Sequence, residues 1–305
     1  MWNALSFIVK AIVSLSFKFM QGNESLNEAL LKKGLVIHFK NYYGPFVSRD
    51  EIRWPLDRER NIPGLVLDPV VQGKFIENLN FRDELIAIPD YSDDELTYAY
   101  GKGMFGPGDS EILYGMIRHL KPRRIIEIGA GSSTLMAQKA IQMNRQEDRE
   151  YECAHVCVEP YENAWLEKLG IEIVREKVED LPVSFFDNLG DGDILFVDSS
   201  HVVKPQGDVL YEIFDLYGSL KSGVYVHVHD IFTPRDYSYE WVVNDRRLWH
   251  EQYLLEAFLS FNREFEVVCA LNWVWKNHPA FLENACPVLT SRLPNNPGSF
   301  WFKRC

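Results

Sequence analysis

The chain has 305 residues, 46% of them hydrophobic and 25% charged, which is enough to bury a sizeable core and rules out wholesale disorder. A net charge of −12 with no basic stripe argues against a nucleic-acid partner, because phosphate binding needs clustered Lys and Arg. Five cysteines (Cys153, Cys157, Cys269, Cys286 and Cys305) are odd in number and form no CxxC pair, as expected of a reduced, cytoplasmic protein.

The first segment, "MWNALSFIVKAIVSLSFKFMQ" over residues 1–21, is apolar with two lysines and no acid. Asn3, Ser6, Lys10, Ser14, Lys18 and Gln21 recur every three or four positions, a narrow polar stripe on a helix. A secretory signal would carry its positive charge before the apolar run and a small-residue cleavage site after it. A spanning helix would place Lys10 at its centre, at a cost of about 2.5–3.5 kcal/mol. The pattern suits a helix lying on a membrane surface, or one docked on its own domain or on a second subunit of a homo-oligomer. Residues 22–103 are irregular, with "HFKNYYGPF", "RWPLDRERNIPG" and "PDYSDDE" rich in Pro, Gly, aromatic and charged residues, and read as a cap with short helices.

From residue 104 to 305 the pattern becomes regular. Asp109 stands where a helix cap belongs, before an apolar face of Ile112, Leu113, Met116, Ile117 and Leu120 that ends at Pro122. Strands are expected at "RIIEIG", "HVCVEP", "IEIVRE", "DILFVDS" and "VYVHVHD". Helices are expected at "SSTLMAQKAIQMN", "YENAWLEKLG", "PVSFFDNL", "GDVLYEIFDLYGSL" and "WHEQYLLEAFLSF". Two further strand-like runs, "FEVVCALNW" and "SFWFKR", close the chain. The alternation predicts an α/β fold: a Rossmann-like, doubly wound, mostly parallel seven-stranded sheet with helices on both faces and an N-terminal extension. Ligands of such sheets sit beyond the carboxyl ends of the strands, where strand order reverses.

Candidate site residues fall at four of those ends. "IIEIGAGSST" runs from a strand through Gly129 and Gly131 into Ser132 and Ser133 at a helix start, while Thr134 replaces the third glycine of a dinucleotide fingerprint. Glu127 precedes that turn and suits a cation, and Glu159 ends the next strand, where a carboxylate can accept ribose hydroxyls. The fourth strand ends in Asp198, followed by Ser199, Ser200 and His201, and the fifth ends in His229 and Asp230. Asp198, His229 and Asp230 form an O/N donor set able to bind a divalent cation. The alternatives are local: Asp198 and Asp230 can cap their own loops, and His201 and His229 can pair with each other. His227 reads as a core histidine. Cys153, His155 and Cys157 share one face of a strand, but one strand cannot close a tetrahedral metal site by itself.

"EIGAGSST" with Glu159 downstream resembles the cofactor loop of class I S-adenosylmethionine-dependent methyltransferases. The resemblance implies that S-adenosylmethionine lies over Glu127, Gly129, Gly131, Ser132 and Ser133, with its ribose on Glu159. "DSSHVVK" and "HVHDIFTPRDY" further resemble metal-dependent O-methyltransferases of the catechol and sugar type, and an uncharacterised bacterial branch of them. That likeness implies Mg²⁺ or Mn²⁺ held by Asp198, His229 and Asp230. It also implies a base at His201 and a hydroxyl acceptor on a small molecule or glycan. His229 departs from the carboxylate of those families and would suit Mn²⁺ or Fe²⁺ better than Mg²⁺. A His/Asp-bound iron would suit a hydroxylase on the same fold, and a non-catalytic binding protein at a membrane is the third expectation.

Overall fold

The computed structural model describes residues 23–36, 41–161 and 163–305. The expected surface helix over residues 1–21 lies outside them. Among the described residues no helix is long and apolar enough to cross a membrane. The chain divides into two compact units, Met1–Phe46 and Val47–Cys305. In the first, helix α1 (Glu24–Leu31) is capped by Asn23, whose side chain accepts the Leu26 amide at 3.1 Å.

The second unit is built on a seven-stranded sheet in the order β3-β2-β1-β4-β5-β7-β6. Its strands are β1 (Arg124–Ile128), β2 (Ala154–Val158), β3 (Glu172–Val174), β4 (Ile194–Val197), β5 (Tyr225–Val228), β6 (Phe265–Ala270) and β7 (Phe300–Arg304). Strands β1 to β5 pair in parallel, and β7 runs antiparallel between β5 and β6. The order turns back at β1 and β4, so the crevice of the doubly wound sheet opens above those two strands.

Strand alternation sends successive side chains to two cores. Ile126, Leu195, Val226 and Phe302 join one cluster, while Ile125, Phe196, Tyr225 and Trp301 join the other. The second cluster also takes Ile76, Leu79, Leu85 and Ile88 from the segment before residue 104, around helices α2 (Pro69–Glu77) and α3 (Arg82–Ile86). That segment therefore completes the sheet's own core.

Helix α4 (Asp109–Leu120) forms as its apolar spacing predicts and ends at Lys121 in the left-handed region, just before Pro122. Its cap differs from expectation. Gly108, at φ +88°, is the N-cap, and Asp109 instead accepts the amides of Gly298 at 2.9 Å and Ser299 at 2.7 Å. The backbone entering β7 lies against this helix start and supplies donors that a solvent-facing cap would lack. Helix α5 (Ser132–Glu147) follows β1. The expected helices after β2 and β3 shrink to 3₁₀ turns at Leu166–Leu169 and Val183–Phe186. After β4 the chain forms α6 (Asp208–Leu210), which widens into a π-turn from Tyr211 to Leu216. Helix α7 (Glu251–Leu259) returns the chain to β6. The strand expected across "FEVVCALNW" stops at Ala270, where α8 (Leu271–Asn277) begins. A short α9 (Pro287–Ser291) precedes β7.

Candidate active site

The turn from β1 into α5 is shaped by backbone contact. Gly129 has φ +79°, and a Cβ there would lie 2.0 Å from the carbonyl oxygen of Asp198. Only glycine lets the two strand ends approach so closely. The Gly131 amide donates to Thr134 Oγ1 at 3.1 Å, and Ser132 Oγ donates to the Lys102 carbonyl at 3.1 Å, tying the preceding loop to the helix start.

Glu159 sits beside this turn at the end of β2. One carboxylate oxygen accepts the Ala130 amide at 3.1 Å, the other the Tyr161 amide at 2.9 Å. Each oxygen keeps a lone pair that a diol can use. Glu127 stands elsewhere, 1% exposed behind the turn. It accepts Ser133 Oγ at 2.5 Å and pairs with His155 Nε2 at 2.9 Å, while Gln138 holds His155 Nδ1 at 2.7 Å. Together with the Cys157 thiol, Glu127 and His155 are the group of three donors that falls within 4.8 Å among the described residues.

A cavity of about 280 Å³ opens over the carboxyl ends of β1, β2 and β4. Gly129, Glu159 and Asp198 line it, as do Tyr161, Val178 and Lys204, which the sequence reading did not single out. Ser200 holds its rim through Asp208, donating its amide at 2.9 Å and its hydroxyl at 2.7 Å.

Past Asp198 the second half of the crevice centres on His201. Its Nε2 lies 3.3 Å from Asp198 Oδ1 and 3.8 Å from Asp230 Oδ2, while its Nδ1 faces Glu251 Oε2 at 2.7 Å. His201 and Asp230 both adopt positive φ, +59° and +55°, in a region L-residues seldom occupy. Two attachments hold His201 there: its carbonyl accepts the His250 amide at 2.9 Å, and the Trp249 ring packs 4.4 Å from its own.

Glu251 is a further residue that sequence reasoning missed. It falls at i, i+4 and i+8 with Leu255 and Leu259 on the buried face of α7, and it is 1% exposed. A carboxylate on an apolar helical face was the available signal, since burial requires it to have a partner.

The charges at this centre are set by their neighbours. Burial would raise the Asp198 carboxyl, but His229 and the bond from His201 outweigh it and hold it at about 2. Burial would lower His201, yet its bonds to Asp198 and Glu251 raise it well above the ordinary imidazole range. His229 is also raised, its burial offset by Asp198, Asp230 and Asp109. Asp230 is raised chiefly by burial, against the pull of His229 and His201.

His229 lies with Nε2 at 3.7 Å from Asp230 Oδ1 and its ring 5.2 Å from Phe105. As placed, Asp198, His229 and Asp230 do not bring three donor atoms within 4.8 Å of one another. A single ion holding three ligands at 2.0–2.6 Å needs a tighter set. His227 behaves as a core histidine, stacked at 4.1 Å on Phe196 with Nε2 2.9 Å from Ser299 Oγ. Burial, then His229, keeps it neutral.

Residues 126–231 match the family model described as "Methyltransferase domain". A 26% identical relative, an uncharacterized protein of Archaeoglobus fulgidus, aligns over 163 residues, 49% of this chain and 72% of its own length. The matched segment runs from β1 through β5 and so contains Gly129, Glu159, Asp198, His201 and His229; it supports a methyltransferase domain over that part of the chain.

Proposed function

We propose that the protein transfers a methyl group from S-adenosylmethionine to a hydroxyl oxygen of a small molecule or glycan. The cavity bordered by Gly129, Glu159 and Asp198 carries this reading, because it lies at the switch point and within the matched segment. Glu159 offers its free lone pairs to the ribose diol. Val178 and Tyr161 give apolar contact to the adenine. Asp198 sets a negative charge beside the sulfonium.

In the transfer a C–O bond forms as the C–S bond breaks, the sulfur keeping the electron pair and leaving as S-adenosylhomocysteine. The hydroxyl proton passes to Nε2 of neutral His201, the form present above its raised pKa, and Glu251 holds the imidazole in line and stabilises the imidazolium that results. His201 is the catalytic base in this scheme and Glu251 a positioning residue.

A divalent cation at Asp198 and Asp230 is the second reading, favoured by two carboxylates that approach one imidazole nitrogen. Such an ion would lower the pKa of the acceptor hydroxyl. The donors do not close around an ion as they stand, so the route through His201 does not use one. Turnover that survives dialysis against a chelator supports the metal-free route, and turnover restored only by Mg²⁺ or Mn²⁺ supports the cation.

Calorimetric titration with S-adenosylmethionine, against NAD as control, tests the donor. One-site saturable binding of S-adenosylmethionine alone is expected. Folded protein that binds neither would leave the glycine turn as a turn only, and the methyl-transfer reading would fall.

A further inference from the structure

Behind the glycine turn, Glu127, His155 and Cys157 form a buried cluster that the transfer scheme does not use. Strand β2 alone supplies too few donors for a metal site, but the sheet adds another. Strand β1 pairs with β2 in parallel, with Glu127 level with Cys157, so Glu127, His155 and Cys157 leave the sheet on one face. Their donor atoms form a small triangle. His155 Nε2 lies 2.9 Å from Glu127 Oε2, Cys157 Sγ lies 3.4 Å from the same oxygen, and Cys157 Sγ lies 3.7 Å from His155 Nε2. Ligand atoms around a tetrahedral zinc, with bonds of about 2.0–2.3 Å, stand roughly 3.3–3.6 Å apart. The triangle matches that spacing to within a few tenths of an ångström.

The surroundings suit an ion. Glu127 is 1% exposed, His155 5% and Cys157 0%. Helix α5 closes the cluster: Ser133 Oγ donates to Glu127 Oε1 at 2.5 Å, and Gln138 meets His155 Nδ1 at 2.7 Å. Ligating histidines are commonly held in this way through their second nitrogen. Ligation by Nε2 requires the ring proton on Nδ1. The Gln138 amide, placed with Nε2 toward the ring, accepts that proton through Oε1 after a half-turn.

Charge and softness point the same way. Burial and the Glu127 carboxylate push the Cys157 thiol far up, so the empty cluster holds a weak S–H donor beside a buried acid. A divalent ion deprotonates a thiol that it binds. Thiolate and carboxylate together then cancel its charge, and the centre is neutral in a dry core. Thiolate and imidazole select zinc over magnesium or calcium.

We propose that Glu127, His155 and Cys157 bind a zinc ion, with water in the fourth position, as a structural clamp joining β1 to β2 beneath the start of α5. The site is separate from Asp198, His229 and Asp230. Metal analysis of the full chain, incubated with Zn²⁺ and dialysed, tests it. About one zinc per chain is expected. Co²⁺ in its place should give a thiolate charge-transfer band and the intense visible bands of tetrahedral cobalt. Cys157→Ser should abolish that band and lower zinc affinity at least about 100-fold. Gln138→Leu removes no ligand from the half-buried side of α5; it should lower the affinity about tenfold with the circular dichroism spectrum unchanged. This second variant decides the matter if Cys157→Ser fails to fold. Folded protein that takes up neither ion, or cobalt bound without a thiolate band, overturns the inference. Zinc held at full affinity by the variants overturns the assignment to this cluster, and its loss in Asp230→Asn would place it in the crevice instead.

Discussion

Single residues at the strand ends carry most of what can be tested. Gly129→Ala would drive a Cβ into the Asp198 carbonyl at a positive φ, so it should cost at least about 2–3 kcal/mol and abolish S-adenosylmethionine binding. Urea unfolding and calorimetry check the two effects separately. Glu251→Gln should lower kcat about 100-fold with cofactor affinity intact. Removing that negative charge lowers the His201 pKa, so neutral imidazole forms at lower pH and the acidic limb of the rate profile shifts down. A merely structural role for Glu251 would move stability but not the limb.

Asp109 supplies a stability test with a definite sign. Burial raises its carboxyl from 3.8 to about 6, against the pull of His229 and of its bonds to Ser299. An acid raised in the folded state binds its proton more tightly there than when unfolded. Its contribution therefore falls as pH rises from about 4 to 6, and stays low above that. Both backbone amides bond Oδ1, an acceptor that asparagine retains. Asp109→Asn should then stabilise the fold by on the order of 2 kcal/mol at pH 8 and by little at pH 4. Denaturant midpoints at the two pH values decide it; equal shifts would refute the buried-charge account.

At the scale of elements, the last strand is the one the fold can least spare. Strand β7 lies inside the sheet, bonded on both edges, and Phe300, Trp301 and Phe302 are each at most 1% exposed. Burying three such rings contributes roughly 2–3 kcal/mol apiece, comparable with the whole stability of a typical domain, about 5–15 kcal/mol. Removing residues 300–305 should therefore leave a chain without a cooperative melting transition by circular dichroism. An intact transition would mean that β5 and β6 can close without it.

For the whole molecule, cofactor binding and folding are linked. The cavity draws its lining from the carboxyl ends of β1, β2 and β4 and from the turns after β1 to β4, none of which is assembled in the unfolded chain. S-adenosylmethionine at 100 times its Kd should add about 2.7 kcal/mol and raise Tm by several degrees. Scanning fluorimetry over a concentration series checks this, and an unchanged Tm would count against the site.

The sequence by itself determined the sheet and which strand ends border its candidate crevice. Alternating strand and helix patterns allow few topologies, and Gly129, Glu159, Asp198 and Asp230 stand at strand ends that such a topology collects on one edge. It also marked His227 as core, because its neighbours Val226 and Val228 alternate with it across a buried strand. Tertiary structure decided the rest. The partners of Glu127 and Asp109 are backbone and side-chain donors brought in from β2, α5 and the approach to β7, and no local pattern encodes them. The link from His201 to Glu251 spans 50 residues. The helices expected after β2 and β3 gave way to 3₁₀ turns, since local periodicity yields where packing against the sheet allows only one turn. Glu59 and Arg60 are joined to the chain leaving β5 and to α7 through ion pairs made across more than 170 residues of chain. Such long-range pairs depend on which surfaces the folded sheet presents, and a linear reading cannot choose among the many charges available.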